Sequence, residues 1–140
     1  MSSPRIVLPE SVRVHLRWLS EASYPHEGCG LLLGQPSPEG LVVREVTRAR
    51  NLNVERAHDR YELDPSDLLA AEERAETIGA SVIGVWHTHP DHPAVPSETD
   101  RAAAWEGWSY VIVSVRLGRV DAIRSWRLSD ATFHEERLSP

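Results

Sequence analysis

The chain has 140 residues, 41% of them hydrophobic, enough for one substantial core and too few for two, so a single domain over residues 1–140 is expected. The balance of 15 basic against 21 acidic residues gives a net charge of −6, which argues against nucleic acid as a partner because phosphate binding needs a basic face. No apolar run approaches the about 18 residues of a membrane span, Met1-Ser2-Ser3-Pro4-Arg5 lacks a signal-peptide apolar block, and the one cysteine excludes an internal disulfide and a thiolate-rich metal site, so a cytoplasmic protein away from the membrane is expected.

Residues 5–8 read as a short strand. In residues 9–22 the apolar set Val12, Leu16, Leu19 and Ala22 recurs at spacings of four, three and three, one face of a helix, and Pro9 suits the first turn. Residues 30–33 are apolar, 34–40 are a turn rich in Pro and Gly, and 41–46 return as the second strand of a hairpin. Residues 51–60 form a polar, charged loop without a period, and 61–63 a short strand. Asp64 then caps a helix with Pro65 at its first position, running to Ile78 and stopped by Gly79.

Residues 81–86 are β-branched and apolar, a buried strand that Pro90 ends for want of an amide hydrogen. Residues 93–96 are a loop, and Ser97 opens a helix running through Trp105. A second hairpin joins 109–115 to 120–128 around Leu117-Gly118-Arg119, and 132–138 add an edge strand. The sum is an α/β domain, a curved mixed β-sheet flanked by helices.

Chemistry concentrates in one stretch. His87 and His89 stand at i and i+2 on the strand, so they point the same way, whereas on a helix they would diverge. Ser97 follows His89 after seven intervening residues, and Asp100 follows Ser97 after two. Ser97 and Asp100 have the spacing of a helix-start capping box, a purely structural reading that does not account for the His pair. The two are compatible, since a serine oxygen can accept from the helix while its proton stays free to donate. Two His and one Asp leave a zinc coordination position for water, and a single carboxylate keeps the ion a good Lewis acid.

The pattern His87-x-His89-x7-Ser97-x2-Asp100 resembles, without gap or substitution, the signature of the JAMM (MPN+) zinc metalloproteases of minimal bacterial type. That family adds an upstream glutamate just before an apolar strand, and Pro25-His26-Glu27-Gly28-Cys29-Gly30-Leu31 is the matching stretch. Asn51 and Tyr61-Glu62-Leu63-Asp64-Pro65 are further landmarks, so the resemblance extends over residues 6–126. It implies a JAMM/MPN-like, cytidine-deaminase-like fold, one Zn2+ held by His87, His89 and Asp100, and no other cofactor. It also implies that Glu27 acts as general base and then acid, and that Ser97 donates to the developing oxyanion. The implied reaction is cleavage of an amide or isopeptide bond at the diglycine-type C-terminal tail of a ubiquitin-like or sulfur-carrier protein. The short chain fits bacterial sulfur metabolism better than deubiquitination, which uses insertions to grip a second ubiquitin. Two alternatives remain open: an inactive MPN-type binding scaffold, and a zinc amidohydrolase acting on small peptides.

Other residues carry less. His92 sits in a free loop near the motif, and Cys29 reads as a small core residue. His26, His58 and His134 have no partners at ligand spacing. Of the five tryptophans, Trp86 and Trp105 flank the motif and are expected to shield the ion from bulk water. Every basic residue is arginine, so the chain offers no lysine for isopeptide attachment.

Overall fold

A computed structural model describes residues 5–140; residues 1–4, which hold most of the N-terminal stretch read for a signal peptide, lie outside it. The elements run β1 (Arg5–Val7), α1 (Glu10–Ser23), β2 (Cys29–Ser37), β3 (Gly40–Ala49), α2 (Pro65–Thr77), β4 (Ser81–Pro90), α3 (Glu98–Ala103), β5 (Ser109–Arg116), β6 (Arg119–Ser129) and β7 (Thr132–Ser139). Among the described residues no helix is long and apolar enough to cross a membrane.

The mixed sheet does more than curve. Its strands run in the order β1-β3-β2-β4-β5-β6-β7 and close, because β1 pairs in parallel with β3 on one side and with β7 on the other. Strand β7, expected at an edge, therefore has a neighbour on both sides, with Ile6 opposite Leu138. Closure removes the free edges that would otherwise recruit other chains.

Two layers of core follow from strand alternation. On β2 and β4 the even-numbered Leu32 and Trp86 join Val12, Leu16, Val111 and Val113 in a core beneath α1. The odd-numbered Cys29, Leu31, Leu33 and Val85 face the other way, into a second core with Ala71 and Ala75 of α2. By parity His87 and His89 belong to the α2 side.

The helices obey their local signals with small shifts. Pro9 sits at the N-cap of α1, one residue before the first turn. Its buried face is Val12, Leu16, Leu19 and Ser20; Ala22 is exposed, because the stripe continues from Leu16 to Ser20 at i+4. Asp64 caps α2 by accepting from the Ser66 N–H with Pro65 behind it, and Gly79 beyond the helix end has φ +71°. The residue 34–40 turn is tighter than its composition suggested: β2 continues to Ser37, pairing with Gly40, and a bulge between Leu33 and Gly34 absorbs the irregularity. Residues 61–63 do not form a strand; a single bridge joins Leu63 to Asn51.

Strand β4 pairs antiparallel with β2 and parallel with β5, and the parallel neighbour is reached through the loop and helix that carry Ser97 and Asp100. Gly84 permits this pairing: a Cβ there would collide with the Ser109 carbonyl. Gly30 likewise leaves room for the Trp86 indole. The site is thus built where β4 ends and its crossover begins.

Candidate metal centre

His87, His89 and Asp100 each offer a ligand atom, and these atoms all lie within 4.8 Å of one another, with all three residues buried. The His pair comes from one face of β4 and the carboxylate from the start of α3, an arrangement fixed by the β4–α3 loop.

His87 is fully buried, yet neither of its ring nitrogens has a hydrogen-bond partner. Its Nδ1 lies 3.5 Å from Glu27 Oε1 and its Nε2 lies 3.9 Å from Asp100 Oδ1. Glu27 is 4% exposed, and its Oε1 is likewise unpartnered. Orphaned buried polar atoms cost about 1–3 kcal/mol each; a cation shared with His89 and Asp100 would satisfy the His87 nitrogen that faces Asp100, while the other nitrogen faces Glu27 Oε1.

His89 is held differently. Its Nδ1 is 2.8 Å from the Pro93 carbonyl, which can only accept, so the proton sits on Nδ1. That leaves Nε2 facing Asp100 Oδ2 at 3.0 Å. A backbone carbonyl fixing the far nitrogen is the usual way a protein orients an imidazole ligand. Burial opposes charge on this ring, but the hydrogen bond to Asp100, the Pro93 carbonyl and the charges of Asp100 and Glu27 outweigh it and raise its pKa above 6.5. Burial also pushes Asp100 up. The His89 hydrogen bond, the charge of His87 and the Ser97 N–H overcome that and hold the carboxyl at about 2, ionised at neutral pH.

The capping box and the site share atoms. Asp100 N–H donates to Ser97 Oγ at 3.0 Å, and Ser97 N–H donates to Asp100 Oδ2 at 2.9 Å. Ser97 Oγ therefore serves as an acceptor, and its hydroxyl proton stays available to the cavity that Ser97 lines. That cavity holds about 440 Å³ and is lined by Glu27, Arg60, His89, Pro93, Val95 and Ser97 among others.

Glu27 is placed by contacts the sequence did not announce. Its N–H donates to the Ala57 carbonyl and its carbonyl accepts from Asn51 Nδ2 at 3.1 Å. Asn51 Nδ2 also donates to the Arg60 carbonyl at 3.0 Å, while Asn51 Oδ1 accepts from the Asn53 and Glu62 N–H groups. One side chain thus ties the loop that follows β3 to the base. Next to Glu27, Gly28 is locked to β4: its N–H donates to Thr88 Oγ1 at 2.8 Å and its carbonyl accepts from the Thr88 N–H at 3.0 Å. Tyr61 stacks on His87 with ring centroids 4.5 Å apart and planes at 25°. Burial, followed by the negative charge of Asp100, pushes its phenol well above 10.0, so it remains neutral. The only early sign of these residues was the position of Asn51 and Tyr61 among the family landmarks.

The tryptophans do not shield the site. Trp86 lies on the α1 side of β4, donating from Nε1 to the Thr47 carbonyl at 2.8 Å, and Trp105 is 57% exposed against Trp108. His92 does line the cavity, with its own carbonyl accepting from Ser114 Oγ. Cys29 is buried in the second core; burial and the charge of Glu27 push its thiol up to about 12.

Comparison with known proteins agrees with this architecture. Residues 9–129 match the family described as prokaryotic homologs of the JAB domain. A desampylase of Haloferax volcanii is 36% identical over 121 residues, covering 81% of this chain and 84% of that protein. The CysO-cysteine peptidase of Mycobacterium tuberculosis is 33% identical over 117 residues, covering 83% and 77%. A solution structure from Desulfitobacterium hafniense superposes with a TM-score of 0.83 at 26% identity, covering 95% of this chain and 90% of that one.

Proposed function

The chain belongs to the family of prokaryotic JAB-domain homologues, and from that premise we propose that it is a zinc-dependent hydrolase. Its proposed substrate is an amide or isopeptide bond at the diglycine-type C-terminal tail of a ubiquitin-like or sulfur-carrier protein. The observation that carries this reading is the buried, unpartnered pair of His87 and Glu27 beside His89 and Asp100, with Glu27 and His89 lining an open cavity. Relatives named as a desampylase and a CysO-cysteine peptidase support the choice of substrate class. The lone, unpaired Cys29 supports a cytoplasmic setting as part of the same reading.

In this reading His87, His89 and Asp100 hold one Zn2+, the ion suited to two imidazoles and a carboxylate. When bound, that ion acidifies a water and polarises the scissile carbonyl. Glu27 takes a proton from the attacking water, and its burial keeps it beside the reacting atoms. The same carboxyl then delivers the proton to the departing amine nitrogen. Ser97 donates its free hydroxyl proton to the carbonyl oxygen as negative charge builds there, and the capping bond from Asp100 N–H keeps Oγ aimed. Pro93, Val95 and Pro96 give the cavity an apolar wall along which an extended tail can lie. A scaffold without metal would leave the same buried atoms orphaned with no compensating contact.

Mass spectrometry of carrier proteins bearing C-terminal adducts, incubated with wild type and with Glu27→Gln, tests the reading. The expected result is loss of the adduct mass with wild type alone. Intact adducts with both proteins, or equal cleavage by both, would overturn it.

A further inference from the structure

His87 and His89 are oriented by different means. His89 is fixed through its far nitrogen, Nδ1, by the Pro93 carbonyl at 2.8 Å. His87 has no such anchor: among the described residues neither of its ring nitrogens has a hydrogen-bond partner, although the residue is fully buried. Apart from its fellow ligands, its ring meets the Glu27 carboxylate, with Oε1 3.5 Å from Nδ1, and the ring of Tyr61, stacked with centroids 4.5 Å apart.

Both of those neighbours are held by one amide. Asn51 Nδ2 donates to the Glu27 carbonyl at 3.1 Å and to the Arg60 carbonyl at 3.0 Å. Its Oδ1 accepts from the Glu62 N–H at 2.9 Å and the Asn53 N–H at 3.0 Å. The Arg60 carbonyl and the Glu62 N–H belong to the two peptide groups that flank Tyr61, so the Asn51 side chain brackets the backbone of that residue. Backbone pairing completes the frame: Leu52 N–H donates to the Glu62 carbonyl at 2.8 Å, and Asn51 forms a bridge with Leu63. Carbonyls only accept and backbone N–H groups only donate, so these four contacts need a side chain with two donors at one end and an acceptor at the other. An amide of this length supplies that. A carboxylate of the same shape would set an oxygen against two carbonyl oxygens.

Resting on the zinc-hydrolase reading, we propose that Asn51 is a positioning residue for His87, acting through Glu27 and Tyr61. Its side chain bonds only to backbone groups. It sets at once the acid that meets one nitrogen of His87 and the aromatic face on which that ring lies, so a single amide keeps the base and a metal ligand in register. An outer hydrogen bond does this for most imidazole ligands, as the Pro93 carbonyl does for His89. With the amide removed, Glu27 and Tyr61 each lose a backbone tie, and residues 52–60, which form no helix or strand, are left to hold them. Zinc affinity and turnover then fall together, while the apolar cavity wall that receives the substrate is unchanged.

The test measures zinc Kd by competition with a chromogenic chelator, and kcat and KM on a ubiquitin-like carrier whose Gly-Gly end is amide-linked to a fluorophore. Each variant is first confirmed folded by circular dichroism. Asn51→Ala and the near-isosteric Asn51→Asp should both weaken zinc binding by about 10–100-fold and lower kcat with KM little changed. Asn53→Ala removes a different bond of the same loop, the one its Oδ1 accepts from the Arg56 N–H, and should move neither quantity. Tyr61→Leu should weaken zinc binding by itself. Its loss and that of Asn51→Ala should not multiply in the double variant, because both act on the same ring. Wild-type zinc Kd and kcat in folded Asn51→Asp, an equal loss in Asn53→Ala, or losses that multiply in full would each overturn the inference. If the Asn51 variants do not fold, Tyr61→Leu decides, and an unchanged zinc Kd there overturns it. Wild type that neither binds zinc nor cleaves the carrier amide would overturn the underlying reading, whereas active wild type beside equally active Asn51→Asp would overturn this inference alone.

Discussion

The two faces of β4 carry neighbouring residues of one strand and treat their polar groups in opposite ways. On the α1 side, Trp86 is fully buried with its N–H bonded to Thr47, and Thr88 is clamped to Gly28 by two hydrogen bonds. On the α2 side, His87 is just as buried, yet both its ring nitrogens lack partners. Burial alone therefore does not separate structure from function here; satisfaction does. On this strand the unbonded buried atoms lie on the side that carries the candidate metal ligands.

Substitutions on the two faces should separate those roles. Glu27→Gln should lower kcat by about 10²–10⁴-fold while the melting temperature and metal content stay near wild type; steady-state kinetics with parallel metal analysis would check it. On the opposite face, Trp86→Ala should cost about 3–5 kcal/mol in denaturant unfolding, with the folded fraction still binding metal. If Trp86→Ala instead removed the metal from folded protein, the faces would not be independent. Ser97→Ala, at the junction, should lower kcat by about 10²-fold with little change in metal content. If only its melting temperature falls, Ser97 is a helix cap and nothing more. The smallest effect belongs to Cys29. With its pKa raised to about 12, deprotonation begins only as pH approaches that value. Native protein at pH 8 should therefore resist iodoacetamide, and fast labelling would contradict its place in the core.

How far this was legible from sequence depends on the range of each interaction. Strand alternation is local, so His87 and His89 could be placed on one face and Asp100 brought to them by a short loop. The Asp64 cap and Pro65 were equally readable, because capping involves adjacent residues. Barrel closure was not, since Ile6 and Leu138 meet from opposite ends of the chain and neither strand's pattern names its partner. Glu27 came from family resemblance: by itself it is an acid before a strand, and its burial depends on Asn51 and Ala57 far downstream. Tyr61 stands out in the sequence as a family landmark in a short strand, with nothing local to show that it covers His87 from a loop. The Ser20 for Ala22 exchange on α1 reflects a stripe read at i+3 where the helix buried i+4.

The central claim is that His87, His89 and Asp100 hold a single divalent ion. Metal analysis of purified wild type beside His87→Ala and Asp100→Ala, each confirmed folded by circular dichroism, tests it most directly. The account predicts one zinc per wild-type chain and almost none in either variant. Full occupancy in a folded variant, or no binding by wild type supplied with zinc, would contradict it.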